Sequence, residues 1–543
     1  MDKRTLFAVV LSLLLVMGYQ YFFLKKPVPE QQGLTSVQEA GDITANKKIK
    51  EEKVITGKVP SPQKSLVRRE DAKVVGKDIK VETPLYTAIF NTKGAALKSF
   101  KLRNYRTNIN DDSELVELVS LIDDIDYPLG ISFPKSSVDI DPNMIFKTDE
   151  TSLDLTKKMN EKKLIFTRLF PGEIKIEKIY TFYPDKYLFN LDVNVENLSE
   201  SIIKESALLG WNQYVDPEVK TSRYSHEGPV FYLKDKIHTE KIKKLGPPEV
   251  FGPDVSWGGF ESKYFIASSI PQQPTLTNLV ISKDSRNLVS VSLEGPKNII
   301  LPGQSGTFKY SFYLGPKEYS ILKAEGVGLE NSINFGSWIK WLALPLLACL
   351  KFIYQYIHNY GIAIIIVTLL VKILFWPLGN ISYKSMKGMQ KLQPKISEIR
   401  EKHKGDKQKI NQEVMALYKS YKVNPMSGCL PMLVQIPVFF GLYKALLYSI
   451  ELRHAPFLFW IQDLAAKDPY YITPIIMGAT MFLQQKMTPQ PGGGDQMQAK
   501  LMQWMPVIFT FMFLNFPSGL VIYWLFNNIL SIGQQYYVNK QTT

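Results

Sequence analysis

Hydrophobic positions divide the chain into three regimes. From Leu6 to Leu24 they form one unbroken run, with Lys3 and Arg4 before it and Lys25 and Lys26 after it. From about Val81 to Leu314 they alternate. Phe189, Leu191, Val193 and Val195 interleave with Asn190, Asp192, Asn194 and Glu196, and Val289, Val291 and Leu293 interleave with Ser290 and Ser292. A period of two marks strands with one buried face, and the Pro184-Asp185-Lys186 and Leu301-Pro302-Gly303 stretches supply turns. Beyond residue 330 the runs become continuous again, at 361–378, 430–448, 471–487, 504–515 and 518–538. A membrane helix needs roughly 20 apolar residues, so these read as spans, the 504–515 run being short.

These regimes predict five segments. Residues 1–26 read as an uncleaved signal-anchor helix, because the run is longer than a signal peptide's apolar core and no small-residue cleavage site follows it. Residues 27–77 are rich in Lys, Glu, Gln, Ser and Pro and read as a flexible linker. Residues 78–325 form an all-β sandwich domain. Residues 332–360 mix Trp338, Trp341, Leu346, Leu347 and Leu350 with Lys340, Lys351 and His358, the pattern of an amphipathic helix lying in the interface plane. Residues 361–540 form a multi-span helical domain.

Charge sets the orientation. Between Gly379 and Pro425 there are eleven Lys or Arg against four acids, whereas 449–470 holds only Arg453 and Lys467. The positive-inside rule places 379–425 in the cytoplasm. The β domain then lies outside, in the periplasm, and both termini lie in the cytoplasm. Within 379–425, Met386, Met389, Leu392, Ile396 and Ile399 recur at helical spacing, as do Ile410, Val414, Leu417 and Tyr421. Two antiparallel helices around a turn at His403–Asp406 follow, with Gly405 suited to a left-handed position. The lysines of this hairpin read either as a solvated face or as a surface for lipid head groups, ribosomal RNA or an acidic incoming chain.

The chemistry is sparse. Lys372 is the one charge inside the 361–378 run, and the other runs carry no Asp or Glu. A lysine at a helix centre costs about 2.5 to 3.5 kcal/mol, less toward an end. It therefore faces a hydrated pocket or extends its stem to the nearer interface. Gln435, Gln484, Asn527, Asn528 and Gln534 add polar groups to the spans. Twelve of the sixteen methionines lie beyond residue 385, which suits a promiscuous surface or irregular core gaps. Two cysteines and five histidines have no metal-ligand spacing, so no metal or cofactor is expected. His226 and His238, the β domain's histidines, read as structural. The net charge of +14 is spread over a linker and one loop rather than one folded face, which points to membrane or ribosome contact and not to DNA.

Several stretches carry a family resemblance. They are MDKRTLFAVVLS, NTKGAALKSFKLRNY, LQPKISEIREKHKGDKQKINQEVMALYK, VNPMSGCLPMLVQIPVFFGLYKAL, APFLFWIQDLAAKDPYY and MPVIFTFMFLNFPSGLVIYW. Together they resemble the YidC/Oxa/Alb family of membrane-protein insertases in its Gram-negative form. The resemblance implies six transmembrane helices, five of them forming an insertase core around a hydrophilic groove that opens to cytoplasm and lipid. It also implies a periplasmic β-supersandwich similar to sugar-mutarotase folds but without their chemistry. Lys372 stands where the family usually carries an arginine, which keeps the charge and loses the planar fork. With the polar residues above, the resemblance places a substrate groove at Lys372, Thr368, Gln435, Tyr523, Trp524 and Asn527. The chain ends at VNKQTT without a long basic tail. Ribosome, lipid or substrate contact is therefore expected at Lys384, Lys387, Lys391, Lys395, Arg400 and Lys402.

The function so implied is non-enzymatic insertion and folding of nascent membrane proteins in the bacterial inner membrane, alone or with the Sec translocon and its accessory subunits. A small-solute or ion transporter is the alternative, disfavoured by the single intramembrane charge and the lack of a repeated half. A carbohydrate-binding or epimerase module on an anchor is a third reading.

Overall fold

The computed structural model describes residues 76–541 apart from 111, 122–125, 134–142, 158–159, 219–225, 337, 422, 424–429 and 488–495. The expected anchor at 1–26 and nearly all of the linker at 27–77 lie outside the described residues.

Strands fill the chain from Asp78 to Pro316. The largest sheet has eight strands, in spatial order Lys236–Thr239, Gly228–Leu233, Val255–Glu261, Phe265–Pro271, Ser305–Pro316, Leu188–Asn197, Ile174–Phe182 and Lys162–Phe170. Two five-stranded sheets pack with it, one built around Tyr86–Asn91 and one around Leu288–Glu294. The alternation in the sequence is the burial pattern. Phe189, Leu191, Val193 and Val195 are buried on one face, and their partners Phe308, Tyr310 and Phe312 continue that layer across the next strand. Aromatic rings from several strands interlock there, with Phe90 against Tyr180, Phe182 and Phe189 at 4.7 to 6.3 Å. One cation lies inside this core. Lys178 is fully buried and its ammonium donates to the carbonyls of Gly94 and Leu129 at 3.1 and 2.7 Å.

Ten helices follow among the described residues: α1 (Tyr319–Ala324), α2 (Lys340–Ile357), α3 (Tyr360–Leu374), α4 (Trp376–Lys391), α5 (Gln393–Lys402), α6 (Lys407–Ser420), α7 (Leu430–Tyr448), α8 (Ile472–Met487), α9 (Gln496–Phe513) and α10 (Ser518–Gln541). No single described helix is both long and apolar enough to cross a membrane. The pair α3 and α4 meets the requirement together, bent by 64° at Phe375. The expected unbroken run at 361–378 is therefore interrupted. Pro377 sits in the first turn of α4, where its missing N–H costs nothing, and α3 ends just before it. At fifteen residues, α3 is about 22 Å long, short of the roughly 30 Å hydrocarbon layer.

The helical domain is packed solid at one end and hollow at the other. Its apolar core joins Leu346 and Leu350 of α2, Ile364 and Val367 of α3, Leu442 and Leu446 of α7 and Leu520–Tyr523 of α10 to Leu452, Ile461 and Leu464 of the 449–471 loop. That loop is pinned to the start of α10. Ser518 donates its amide to the Ala466 carbonyl at 2.7 Å, and the Gly519 amide donates to Leu464 at 3.0 Å. Asp468 orders the loop from within, accepting from the Trp460 indole, the Tyr470 amide, and both the amide and the hydroxyl of Thr473.

The β domain is joined to this end. Ala343, Leu347, Ala445, Leu447, Tyr448 and Ile450 belong to the same apolar core as the strands. Lys351 of α2 bridges Glu318 and Glu451 at 3.1 and 2.5 Å.

At the opposite end, α4 and α5 form one limb and α6 the other around a small core of Met386, Met389, Leu392, Ile396, Val414 and Tyr418. Gly405 (φ +102°) turns the chain, and Asp406 caps α6 by accepting from the Lys409 amide. The first limb is two helices rather than one, because Pro394 opens α5 and breaks the run at Leu392.

Candidate functional site

Lys372 lies in the last turn of α3, three residues before the bend at Phe375, not deep in an unbroken span. A cation there interacts favourably with the carbonyl end of its helix. Its ammonium donates to the Ser531 hydroxyl at 2.6 Å. Ser531 in turn donates to the Asn527 carbonyl one turn earlier on α10, at 2.7 Å. That second bond aims the hydroxyl hydrogen away and leaves the oxygen lone pairs to face Lys372. Tyr383 reaches the Ser531 carbonyl at 3.5 Å from α4.

The hollow beside Lys372 has a volume of about 300 Å³ and is walled by six helices, with Lys372 of α3 and Met505 and Pro506 of α9 among the lining. Gln435 and Phe439 come from α7, Ser382 and Met386 from α4, Met481 and Gln484 from α8, and Trp524, Asn527, Asn528 and Ser531 from α10. A narrower recess continues from it past Val371, Gly379, Val434 and Gln534. Among the described residues no Asp or Glu lines either space, and Lys372 is the charged side chain on their walls.

Four expected groove residues thus come together: Lys372, Gln435, Trp524 and Asn527. The other two do not line the hollow. Thr368 is buried, and its hydroxyl donates to the Ile364 carbonyl of its own helix at 2.6 Å. Tyr523 is buried behind the wall, with its ring stacked on Phe439. Trp524 meets Phe439 edge-on at 4.7 Å, and its indole N–H has no partner among the described residues.

Ser531, Tyr383 and Gln534 were not among the expected groove residues. Gln534 donates to the Trp376 carbonyl at 2.9 Å and to Asn380 at 3.0 Å, bracing the α3–α4 bend against α10. Gly379 permits that approach, since a Cβ there would lie 2.5 Å from the Gln534 amide. The signal for this face was present in the sequence as Asn527, Ser531 and Gln534, spaced four and three residues apart on one helix.

Beside the hollow, apolar side chains point away from the protein. Leu370, Ile373 and Leu374 of α3, Ile475 and Leu483 of α8 and Ile508 and Phe511 of α9 are exposed. Exposed apolar side chains in this number mark surfaces made for something other than water.

The hairpin lysines divide by role. Lys387 donates to the Asn539 carbonyl, tying α4 to the end of α10, and Lys395 is bonded to Tyr421. Arg400 is half-buried, while Lys384, Lys391 and Lys402 are exposed. In the β domain, His226 contacts the Pro229 carbonyl and His238 stacks on Phe231, both local packing roles.

The family profile described as 60Kd inner membrane protein matches residues 352–543, and the YidC periplasmic domain profile matches 78–349. A protein named membrane protein insertase YidC from Syntrophus aciditrophicus is 61% identical, covering 100% of both chains. A protein of the same name from Geobacter metallireducens is 44% identical over 99% of this chain and 98% of its own. A solved structure described as an active YidC insertase with its first transmembrane domain resolved covers 85% of this chain and 95% of its own, at 20% identity and a TM-score of 0.37.

Proposed function

This chain belongs to the YidC family of membrane protein insertases, and we propose that it inserts proteins into the inner membrane through the hollow beside Lys372. The observation that carries the reading is an unneutralised lysine on the wall of a polar hollow, beside helices whose outer faces are apolar. An acidic residue in the short outer segment of a substrate is drawn to Lys372. At roughly 5 Å and an effective dielectric near 20, that attraction is about 3 kcal/mol before desolvation. Gln435, Asn527, Asn528 and Ser531 hydrate the segment part-way, so its passage meets a lower cost than bare hydrocarbon imposes. The substrate's apolar helix moves out along the exposed faces of α3, α8 and α9 into lipid. No covalent step is required.

In this reading the β domain is periplasmic, the α4–α6 hairpin is cytoplasmic, and six helices span the bilayer, the first being the anchor at 1–26. The packed 449–471 loop shuts the groove on the outer side, and the hollow lies toward the cytoplasm. Exposed Lys384, Lys391 and Lys402 supply phosphate-binding charge for ribosome or lipid contact. Cooperation with the Sec translocon belongs to the same proposal.

The test uses purified full-length protein in liposomes, with a single-span substrate carrying an acidic outer tail. Protection of the tail from protease is scored for wild type, Lys372→Arg, Lys372→Ala and Lys372→Glu. Arginine retains protection, while alanine and glutamate lose most of it. Equal protection by all four would remove the electrostatic mechanism.

A further inference from the structure

A larger cavity, of about 530 Å³, lies outside the groove, where the eight-stranded sheet meets the chain entering α2. Its wall includes an ion pair between Glu261 and Lys317 at 2.7 Å, each side chain only 5% exposed. Holding two charges out of water is costly and contributes little net stability, which makes such a pair a poor choice for a purely structural wall.

The remaining charges on the wall set the sign of a ligand. Lys263 forms no ion pair among the described residues, and burial pulls its ammonium below the ordinary lysine range. Lys340 is held by a neutral group, donating to the Asn331 side-chain carbonyl at 3.0 Å. Against these two cations stand Asp235 on the wall and Asp463, whose charge acts on Lys263 and partly offsets the effect of its burial. Ser332, buried and lining the same space, has a hydroxyl with no hydrogen-bond partner among the described residues. A buried hydroxyl left unpaired costs free energy that a polar ligand would recover.

The cavity also adjoins a surface suited to lipid. Its lining residues Gly336 and Lys340 bracket Trp338, and Trp341 follows. The two indoles are 62% and 70% exposed. Exposed tryptophans beside an amphipathic helix are typical of the level of lipid head groups.

We infer that this cavity binds a phosphate ester with neighbouring hydroxyls. The source is either the glycerophosphate head group of an anionic lipid or a soluble ester of the same chemistry. Lys263 and Lys340 supply the charge, and Ser332 pairs with a ligand oxygen.

Full-length protein in detergent is titrated with glycerol 3-phosphate, and phosphatidylglycerol retained from mixed phosphatidylglycerol and phosphatidylcholine nanodiscs is counted by native mass spectrometry. Wild type binds glycerol 3-phosphate saturably. Lys263→Gln weakens that binding about tenfold, and Ser332→Ala weakens it severalfold. Lys372→Ala leaves it unchanged, which separates this site from the groove. Selective retention of phosphatidylglycerol, displaced by glycerol 3-phosphate, identifies the lipid as the source. Saturable glycerol 3-phosphate binding without lipid retention identifies the soluble ester. Absence of saturable binding, or binding unaffected by both Lys263→Gln and Ser332→Ala, overturns the inference.

Discussion

Replacing Asp468 by alanine tests whether one carboxylate holds the outer closure of the helical domain. Both of its oxygens are engaged. Oδ1 accepts from the Trp460 indole and the Tyr470 amide, each at 3.0 Å. Oδ2 accepts from the Thr473 amide and hydroxyl at 2.8 and 2.7 Å. Bonds to a charged acceptor contribute about 1.5 kcal/mol or more each, so four amount to about 6 kcal/mol gross. Alanine also removes the cost of keeping a carboxylate from water, which leaves a net loss of about 3 kcal/mol. That corresponds to a shift of roughly 150-fold in the balance between closed and open loop.

Hydrogen exchange of the full chain in detergent, read over 464–473 and 516–519, measures this opening directly. Exchange there accelerates by about that factor in Asp468→Ala, and by less in Asp468→Asn, whose amide can still accept from one side. The pH dependence has a definite sign. Burial pushes the carboxyl up, but the hydrogen bonds from Thr473, Tyr470 and Trp460 outweigh it and hold it below its usual range. The stabilisation is therefore complete above the unfolded value of about 3.9 and is lost as pH falls through the lower folded value. Acid should erase the difference between wild type and alanine. Equal exchange at neutral pH would refute the role given to Asp468.

Three further outcomes are expected. Ser531→Ala removes the acceptor for Lys372 and should slow insertion of acidic-tailed substrates about tenfold, with neutral-tailed substrates unaffected in the same liposome assay. Gly478→Val should lower the thermal midpoint of the full chain, because a Cβ would lie 2.0 Å from the Thr510 hydroxyl and force α8 from α9. Thr510→Ala in the same chain should restore part of the loss. Burial draws the Lys178 ammonium down to about 7, so the unfolded chain binds more protons between there and the ordinary lysine value. Stability of the β domain should then rise with pH across that window, by up to about 1.4 kcal/mol per unit, and Lys178→Met should abolish the slope in chemical denaturation.

Features that rest on local pattern could be read from the chain. Phe189 to Val195 announced a half-buried strand, and Lys372 stood out because its neighbours are apolar. Features that depend on distant pairing could not. Glu261 and Lys317 are 56 residues apart, and nothing in either neighbourhood signals a buried pair. Ser531 was unremarkable in sequence because a serine in a helix is common. Its role comes from a side chain 159 positions away. The break at Phe375 was signalled by Pro377, but continuous hydrophobicity masked it. Hydropathy likewise marked only the apolar part of α9, which begins at Gln496 with a polar turn rather than at residue 504.

The core shared by the strands with α2 and α7 bears on how the chain can be cut. The β domain is not a bead on a string at its membrane end. A truncation that removes residues 81–314 leaves Ala343, Leu347, Leu447, Tyr448 and Ile450 without the surface that covers them. Glu318, one of the two carboxylates that Lys351 bridges, lies just past the cut and loses the strand that positions it. Inactivity of such a truncated chain would report an uncovered greasy seam before it reported a missing function. Grafting polar residues onto that seam would give a shortened protein whose behaviour speaks for the β domain itself.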